Sequence, residues 1–270
     1  METKTLLIGL LIGLVVGYAV AKYLPVFQVS EEKSLVEKIK ARGYLVVGTS
    51  ADWPPFEYIN KKGGYSGIDI EIAKKIAEAL GVELKIKDIK FDALIAALKT
   101  GEIDLVIADM TPTAEREREV DLSIPYFNDV FVVVSLKTQS FSSLEDLYGK
   151  TVGVQQGSTQ ASWVEENLGG KCGINYYTKV YPDMVFALKR GDVDAIIIAK
   201  TVAQVLSSKD SDLEISLVIE GTEEYAAIAL PQGAEDLKYV VNSVIENIKK
   251  DGTLEIIVNN EIYKWLTSEG

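Results

Sequence analysis

Asp109, Thr111 and Arg116 fall within one stretch of the chain, "ADMTPTAERERE" (Ala108 to Glu119). There an apolar run ends, turns at Pro112 and enters a charged segment. A carboxylate, a hydroxyl and a guanidinium at a strand exit make a grip for a small zwitterion. The guanidinium holds a carboxylate through two parallel hydrogen bonds. Read alone, Arg116 also fits a solvated member of the "EREREV" charge run, and Thr111 fits a cap or strand-end hydroxyl. Trp53 and Phe91 offer flat faces that either belong to a core or sandwich a flat or cationic side chain. Gly157, Ser158 and Thr159 open a helix, where hydroxyls and N–H groups suit a carboxylate or simply cap the helix.

Other acids have plainer readings. Asp69 and Glu71 stand in the first turn of a helix, where acids stabilise the macrodipole. Glu223 and Glu224 fall at an expected hinge and read as solvated. The chain has no histidine and one cysteine, Cys172. Serine–histidine and cysteine–histidine catalysis, internal disulfides and most transition-metal sites are thereby excluded. An enzyme would have to work with carboxylates, lysines or tyrosines. No phosphate loop, metal spacing or argued carboxylate pair is present, so no catalytic residue and no cofactor is expected. The formal net charge of −12 argues against nucleic acid as a partner.

The elements that must position these groups follow an α/β rhythm. An amphipathic helix is expected from Ser34 to Ile39, then a strand in "GYLVVGTS" (Gly43 to Ser50). "GIDIEIAKKIAEAL" has Ile68, Ile72, Ile76 and Leu80 at helical spacing, with Gly81 as a stop. "VELKIKDI" reads as a strand, "FDALIAALKTG" as a helix and "IDLVIAD" as a buried strand. Strand and helix in alternation imply a parallel sheet covered by helices. The rhythm returns in "KTVGVQQG", "STQASWVEENLGG", "PDMVFALKRG" and "VDAIIIA".

"ALKTGEIDLVIADMT" (Ala97 to Thr111) and "ALKRGDVDAIIIAKT" (Ala187 to Thr201) align without a gap at an offset of 90, with seven of fifteen positions identical. A duplicated βαβ unit, and hence two α/β lobes around a cleft, is the reading. Ligands of open parallel sheets sit beyond the carboxyl ends of the strands. That places Asp109 to Thr111, the turn after Gly48, Ala199 to Thr201 and Gln155 to Thr159 at the cleft.

Ahead of the lobes, "LLIGLLIGLVVGYAVAKYL" (Leu6 to Leu24) carries one charge, Lys22. Its length approaches the ~20 residues of a bilayer crossing. Ala19-Val20-Ala21 also has the small-x-small form of a signal-peptidase site. Residues 1–29 are therefore expected to be a cleaved signal peptide or a membrane anchor, with the remainder outside the cytoplasm.

From about Lys33 to Leu266 the chain resembles the polar amino acid family of extracellular solute-binding proteins, the receptor components of ABC importers. The resemblance rests on "GTSADWPPFEY", "GYSGIDIEIAKKIAEALG", "FDALIAALKTGEIDLVIADMTPTAEREREVDLSIPYF", "TVGVQQGST", "LKRGDVDA" and "DGTLEIIVNNEIYKWL". It implies a type II periplasmic-binding-protein, or Venus-flytrap, fold with two hinge crossings, near "FVVVSLK" (Phe131 to Lys137) and "TEEYAAIAL" (Thr222 to Leu230). Lobe one then takes residues 33–134 and 225–268, and lobe two takes residues 135–224. The position of Arg116 implies a clamp on a ligand α-carboxylate. Those of Thr111 and Asp109 imply contacts to the α-amino group, and those of Ser158 and Thr159 closure on the carboxylate. Trp53 and Phe91 correspond to positions flanking the side chain, Ser50 and Gln155 to positions that help select it.

Two positions depart from the family pattern. Many members have an aspartate at Ser50, which Asp52 is a candidate to replace. The usual lobe-two acid for the ammonium is absent, because that position is Ala199. In the repeat Ala199 corresponds to Asp109, so Asp109 is expected to supply the charge from lobe one. The implied ligand is a free polar amino acid of the arginine and lysine class or the glutamine class. The implied partners are ABC permease subunits, and a monomer is expected. A sensor role and a periplasmic dehydratase on the same fold are the alternatives.

Overall fold

Helix α1 (Leu35–Arg42) opens the computed structural model, which describes residues 33–269. The apolar segment within residues 1–29 lies outside the described residues. Among the described residues, no helix is long and apolar enough to cross a membrane. Ser34 starts α1 through a capping box with Glu37, and the helix runs three residues beyond the expected Ile39.

Strand β1 (Tyr44–Thr49) follows, then a small sheet of β2 (Asp52–Trp53), β3 (Glu57–Ile59) and β4 (Tyr65–Ser66). Helix α2 (Ile68–Leu80) begins at Gly67, whose φ is 129°. A Cβ there would stand 2.1 Å from the Phe56 carbonyl oxygen, so only glycine lets the helix approach the β2–β3 turn this closely. The predicted apolar stripe of Ile68, Ile72, Ile76 and Leu80 is buried.

β5 (Glu83–Asp88), α3 (Leu94–Lys99), β6 (Leu105–Met110), β7 (Asp121–Leu122) and β8 (Phe127–Asp129) complete the first pass. The second pass contains β9 (Phe131–Leu136), β10 (Thr151–Gln155), α4 (Thr159–Leu168), β11 (Gly173–Tyr177), α5 (Val185–Arg190), β12 (Ala195–Ala199), α6 (Lys200–Lys209) and β13 (Leu213–Val218). The chain then returns through β14 (Glu224–Leu230) to α7 (Glu235–Lys250) and α8 (Thr253–Lys264). The helix expected over "PDMVFALKRG" starts late. Tyr181 is extended (φ −111°, ψ 127°), and regular α-helix begins at Val185.

The two large sheets have matching orders, β5-β1-β6-β14-β7 and β11-β10-β12-β9-β13. In each, three parallel strands are joined by an antiparallel strand that has crossed from the other lobe. All of β9 pairs in the second sheet, so the first crossing falls at Asp129–Phe131 and the expected division at 134/135 lies inside β9. The return crossing runs from Ile219 to Glu224. There the Thr222 hydroxyl accepts the Phe131 N–H at 3.0 Å, and Glu224 pairs in register with Asp129.

The repeat has a structural cause. Asp104 Oδ2 accepts the Val46 N–H at 2.7 Å, and the Asp104 N–H donates to Val46 O at 2.8 Å. Asp194 does the same to Thr151, both at 2.8 Å. Each aspartate locks the third strand of its lobe to the first, so the Gly-acid-aliphatic-Asp turn is required twice. Each also meets a cation, Arg42 on Asp104 and Lys150 on Asp194.

Buried apolar residues run without a break from Tyr58 and Ile72 in lobe one to Met184 and Ile198 in lobe two. Trp265, 2% exposed, bridges them behind the hinge. Its ring meets Tyr58 edge-on at 4.8 Å and Tyr181 at 5.2 Å, and Lys209 Nζ donates to its carbonyl at 2.7 Å.

Candidate functional site

Four chain segments converge beyond the strand ends: Trp53–Glu57, Phe91, Ala108–Arg116 and Gln155–Gln160. They enclose a cavity lined by Trp53, Glu57, Phe91, Ala108, Asp109 and Thr111 on one side. Arg116, Gln155, Ser158, Thr159 and Gln160 complete the wall. Eight of these were expected from sequence. Glu57, Ala108 and Gln160 were not.

Arg116 leaves the charge run. It is 8% exposed, whereas Glu117, Arg118 and Glu119 face solvent. Nη1 donates to Thr111 O at 2.6 Å and Nη2 to Gly157 O at 3.0 Å, so one guanidinium spans both lobes. Its carbon lies 5.3 Å from the centre of the Phe91 ring. Burial lowers its pKa to about 10, opposed by Glu224 and Glu115. It remains a cation at neutral pH.

Asp109 adopts φ 44°, the left-handed region that costs a non-glycine residue about 1 kcal/mol or more. Two bonds hold it there. Its N–H donates to Asp69 Oδ2 at 2.8 Å, and its own Oδ2 accepts the Trp53 indole N–H at 2.8 Å. Asp69 is 0% exposed and also accepts the Tyr126 hydroxyl at 2.9 Å. The expectation that Asp69 is a solvated first-turn acid is therefore corrected. It is a buried bracket between α2 and the end of β6. Glu71 keeps the plainer role, paired with Lys74 at 2.7 Å.

Glu224 is the second correction. It is 7% exposed rather than solvated. Its Oε2 accepts the hydroxyls of Thr111 at 2.8 Å and Thr159 at 3.0 Å, and its Oε1 accepts the Gln160 amide at 3.0 Å. Glu57 is 1% exposed, and its Oε2 has no hydrogen-bond partner. The β2–β3 pairing sets it opposite Trp53, a neighbour relation that only the hairpin register reveals.

Ser158 caps α4. Its Oγ accepts the Ala161 N–H at 3.1 Å and donates to Gln155 O at 2.8 Å. Ser50, Asp52 and Gln155 associate with one another across the lobes. Asp52 Oδ1 meets Ser50 Oγ at 3.2 Å and Gln155 Nε2 at 3.5 Å, and Oδ2 accepts the Val180 N–H at 3.1 Å. Ser50 and Asp52 line a separate small recess with Asp88 and Lys179, whereas Gln155 reaches the main cavity. Ala199 is 0% exposed in β12.

The electrostatics follow from crowding acids out of water. Burial raises Asp52, Asp69 and Glu224 to about 7. It carries Glu57 and Asp109 well above the usual carboxylate range, Glu57 further beside Asp69 and Asp109 beside Glu224. A folded-state pKa above the unfolded value near 4 means the folded chain binds more protons between about pH 4 and 7. Stability from these groups is then full below that window and lost as pH rises through it. Melts of the ligand-free protein at constant ionic strength are expected to show the melting temperature falling between pH 5 and 7.5. A rise across that interval would refute the assignment of these acids.

A two-lobed α/β scaffold with one guanidinium, two aromatic faces and several buried carboxylates at its cleft is a receptor for a small charged solute. The chain belongs to the bacterial extracellular solute-binding proteins, family 3, whose sequence profile matches residues 45–265. An arginine-binding extracellular protein of Bacillus subtilis is 37% identical over 233 residues, covering 83% of this chain and 87% of that protein. An L-cystine-binding protein of Escherichia coli is 32% identical over 231 residues, 84% of this chain and 85% of its own. The crystal structure of an amino acid ABC transporter substrate-binding protein from Streptococcus pneumoniae, bound to L-arginine, has a TM-score of 0.82. That protein is 32% identical, over 86% of this chain and 100% of that one.

Proposed function

We propose that this chain is the substrate-binding component of an ABC importer for an amino acid with a cationic side chain, arginine foremost. The observation that carries this reading is the charge balance of the cavity. Among the described residues, Arg116 is the one cation in its wall, against Glu57 and Asp109 in the wall and Glu224 and Asp69 bonded directly behind it. The carboxylate of a zwitterion neutralises Arg116, and its ammonium neutralises one acid. Burial holds the remaining acids toward their protonated form in the ligand-free cleft, and a second positive charge on the ligand favours ionising and pairing them.

The roles follow from position. Arg116, whose Nη2 reaches Gly157 O just ahead of α4, takes the α-carboxylate, with the N-terminal end of that helix adding to the anion site. Trp53 and Phe91 flank the aliphatic stem and guanidinium. Glu57 and Asp109 receive the distal charge, and Gln155 contributes an amide. Ser50 and Asp52 join the lobes beside it, and ligand binding favours the closed arrangement. Asp52, Asp69, Asp109 and Glu224 are engaged by the protein's own hydrogen-bond donors, which supports a carrier over the dehydratase alternative. The apolar run Leu6–Leu24 supports export, with residues 1–29 a signal peptide or anchor, and delivery by a monomer to permease subunits in the membrane. A sensor would use the same site.

The test is calorimetric titration of the protein, stripped of bound ligand by unfolding and refolding, against the common amino acids, ornithine and citrulline. Arginine is expected to bind at micromolar affinity or tighter, about −8 kcal/mol or better. Citrulline, similar in shape but neutral, is expected to bind at least a hundredfold more weakly. Glutamine or cystine binding more tightly than arginine would overturn the basic-ligand reading.

A further inference from the structure

We propose that Glu224, on the strand that crosses back between the lobes, receives the ligand's α-ammonium group. This assignment rests on the amino acid reading above. The α-ammonium and α-carboxylate of an amino acid hang from one carbon. The acceptor of the first must therefore stand beside the cation that holds the second. Thr111 links the two groups directly. Its carbonyl accepts Arg116 Nη1 at 2.6 Å, and its hydroxyl donates to Glu224 at 2.8 Å.

Thr159 and Gln160, both in the cavity wall, direct their polar ends onto the same carboxylate at 3.0 Å. A threonine hydroxyl that donates to Glu224 keeps lone pairs for an ammonium, so Glu224 and Thr111 together form a cation socket.

The other acids are committed elsewhere. Asp109 Oδ2 is held by the Trp53 indole, and Glu57 pairs in register with Trp53, both at the aromatic end of the cavity. Asp129, opposite Glu224 in the hinge ladder, accepts the Thr201 N–H at 2.9 Å and so secures the first turn of α6. Ala199, at the strand end of lobe two, has only a methyl group to offer. The hinge strand itself thus carries the charge. Glu224 accepts bonds from Thr111 in lobe one and from Thr159 and Gln160 in lobe two, which ties recognition of the ammonium to closure of the lobes.

The test compares L-arginine with 5-guanidinopentanoic acid, which lacks only the α-amino group, on the full chain. The wild type is expected to prefer arginine by a hundredfold or more. Glu224→Gln is expected to bring that preference below tenfold by weakening arginine while leaving the deamino compound unchanged. Asp109→Asn is expected to keep the preference. The proposal is overturned if Glu224→Gln weakens both compounds alike, if it leaves the preference intact, or if Asp109→Asn alone abolishes it.

Should Glu224→Gln not fold, Glu224→Asp keeps the charge on a shorter arm. It is expected to cut the preference three- to tenfold, and an unchanged preference there overturns the proposal. If the titration panel names another amino acid, the same removal of the α-amino group is made on that ligand. The Glu224 assignment then stands or falls separately from the side-chain class.

Discussion

Arg116→Ala is expected to abolish high-affinity arginine binding. The substitution leaves the ligand's carboxylate desolvated without a partner. Truncating one side of a buried, hydrogen-bonded charge pair costs about 2 to 5 kcal/mol, roughly a 30- to 5,000-fold loss. Two further effects act in the same direction. The carbonyls of Thr111 and Gly157 lose the guanidinium that joins the lobes, and Glu224 loses the cation that favours its ionised form.

Arg116→Lys should recover only part of the loss, because an ammonium cannot reproduce the planar two-point grip. Agmatine, which is arginine without its carboxylate, separates the effects. It is expected to bind the wild type weakly and the alanine variant no worse, since the variant has lost a like charge. Calorimetry with both compounds decides the matter. A variant that keeps arginine affinity within threefold would remove Arg116 from the site.

Glu57→Gln is expected to move two observables in opposite directions. Glu57 is enclosed beside Asp69, Asp109 and Asp52, all of which oppose its ionisation. A neutral amide of nearly the same shape relieves that opposition, so the ligand-free variant should melt at a higher temperature at pH 7.5 than the wild type. Arginine affinity should fall by the same 2 to 5 kcal/mol range, about 30- to 5,000-fold, because the guanidinium loses a buried anion. Citrulline affinity should hold or improve, since its neutral urea group has no need of the charge.

This is the stability–activity conflict expected where like charges are confined for a ligand's sake. Melting curves and titrations on the same preparations read both signs. A variant that melts lower and still binds arginine as the wild type does would make Glu57 a structural acid only.

The alternation of strands and helices, the internal repeat and the export-like apolar run were legible in the chain because each is a local pattern. The stripe of α2, the helix opening after Ser34 and the strands beginning at Leu105 and Ala195 follow from spacing and burial of neighbours a few residues apart. Arg116, Trp53, Phe91 and the opening of α4 were nameable as well. Each stands next to a turn or strand end that the pattern located.

The acids are where residue type misled. Glu224 and Asp69 belong to runs that read as solvated or as helix-dipole partners, and Glu57 sits unremarked in an aromatic turn. What buries them is distant in the chain. Glu224 meets Thr111 across 113 positions, and Trp53 meets Asp109 across 56. A carboxylate's free energy depends on the water and donors around it far more than on its neighbours in sequence. The chain alone therefore determined the two-lobed frame and the guanidinium at its cleft. Tertiary structure decided which acids leave water to face that guanidinium, because only the closing of distant segments sets the local dielectric and supplies the bonds that hold them there.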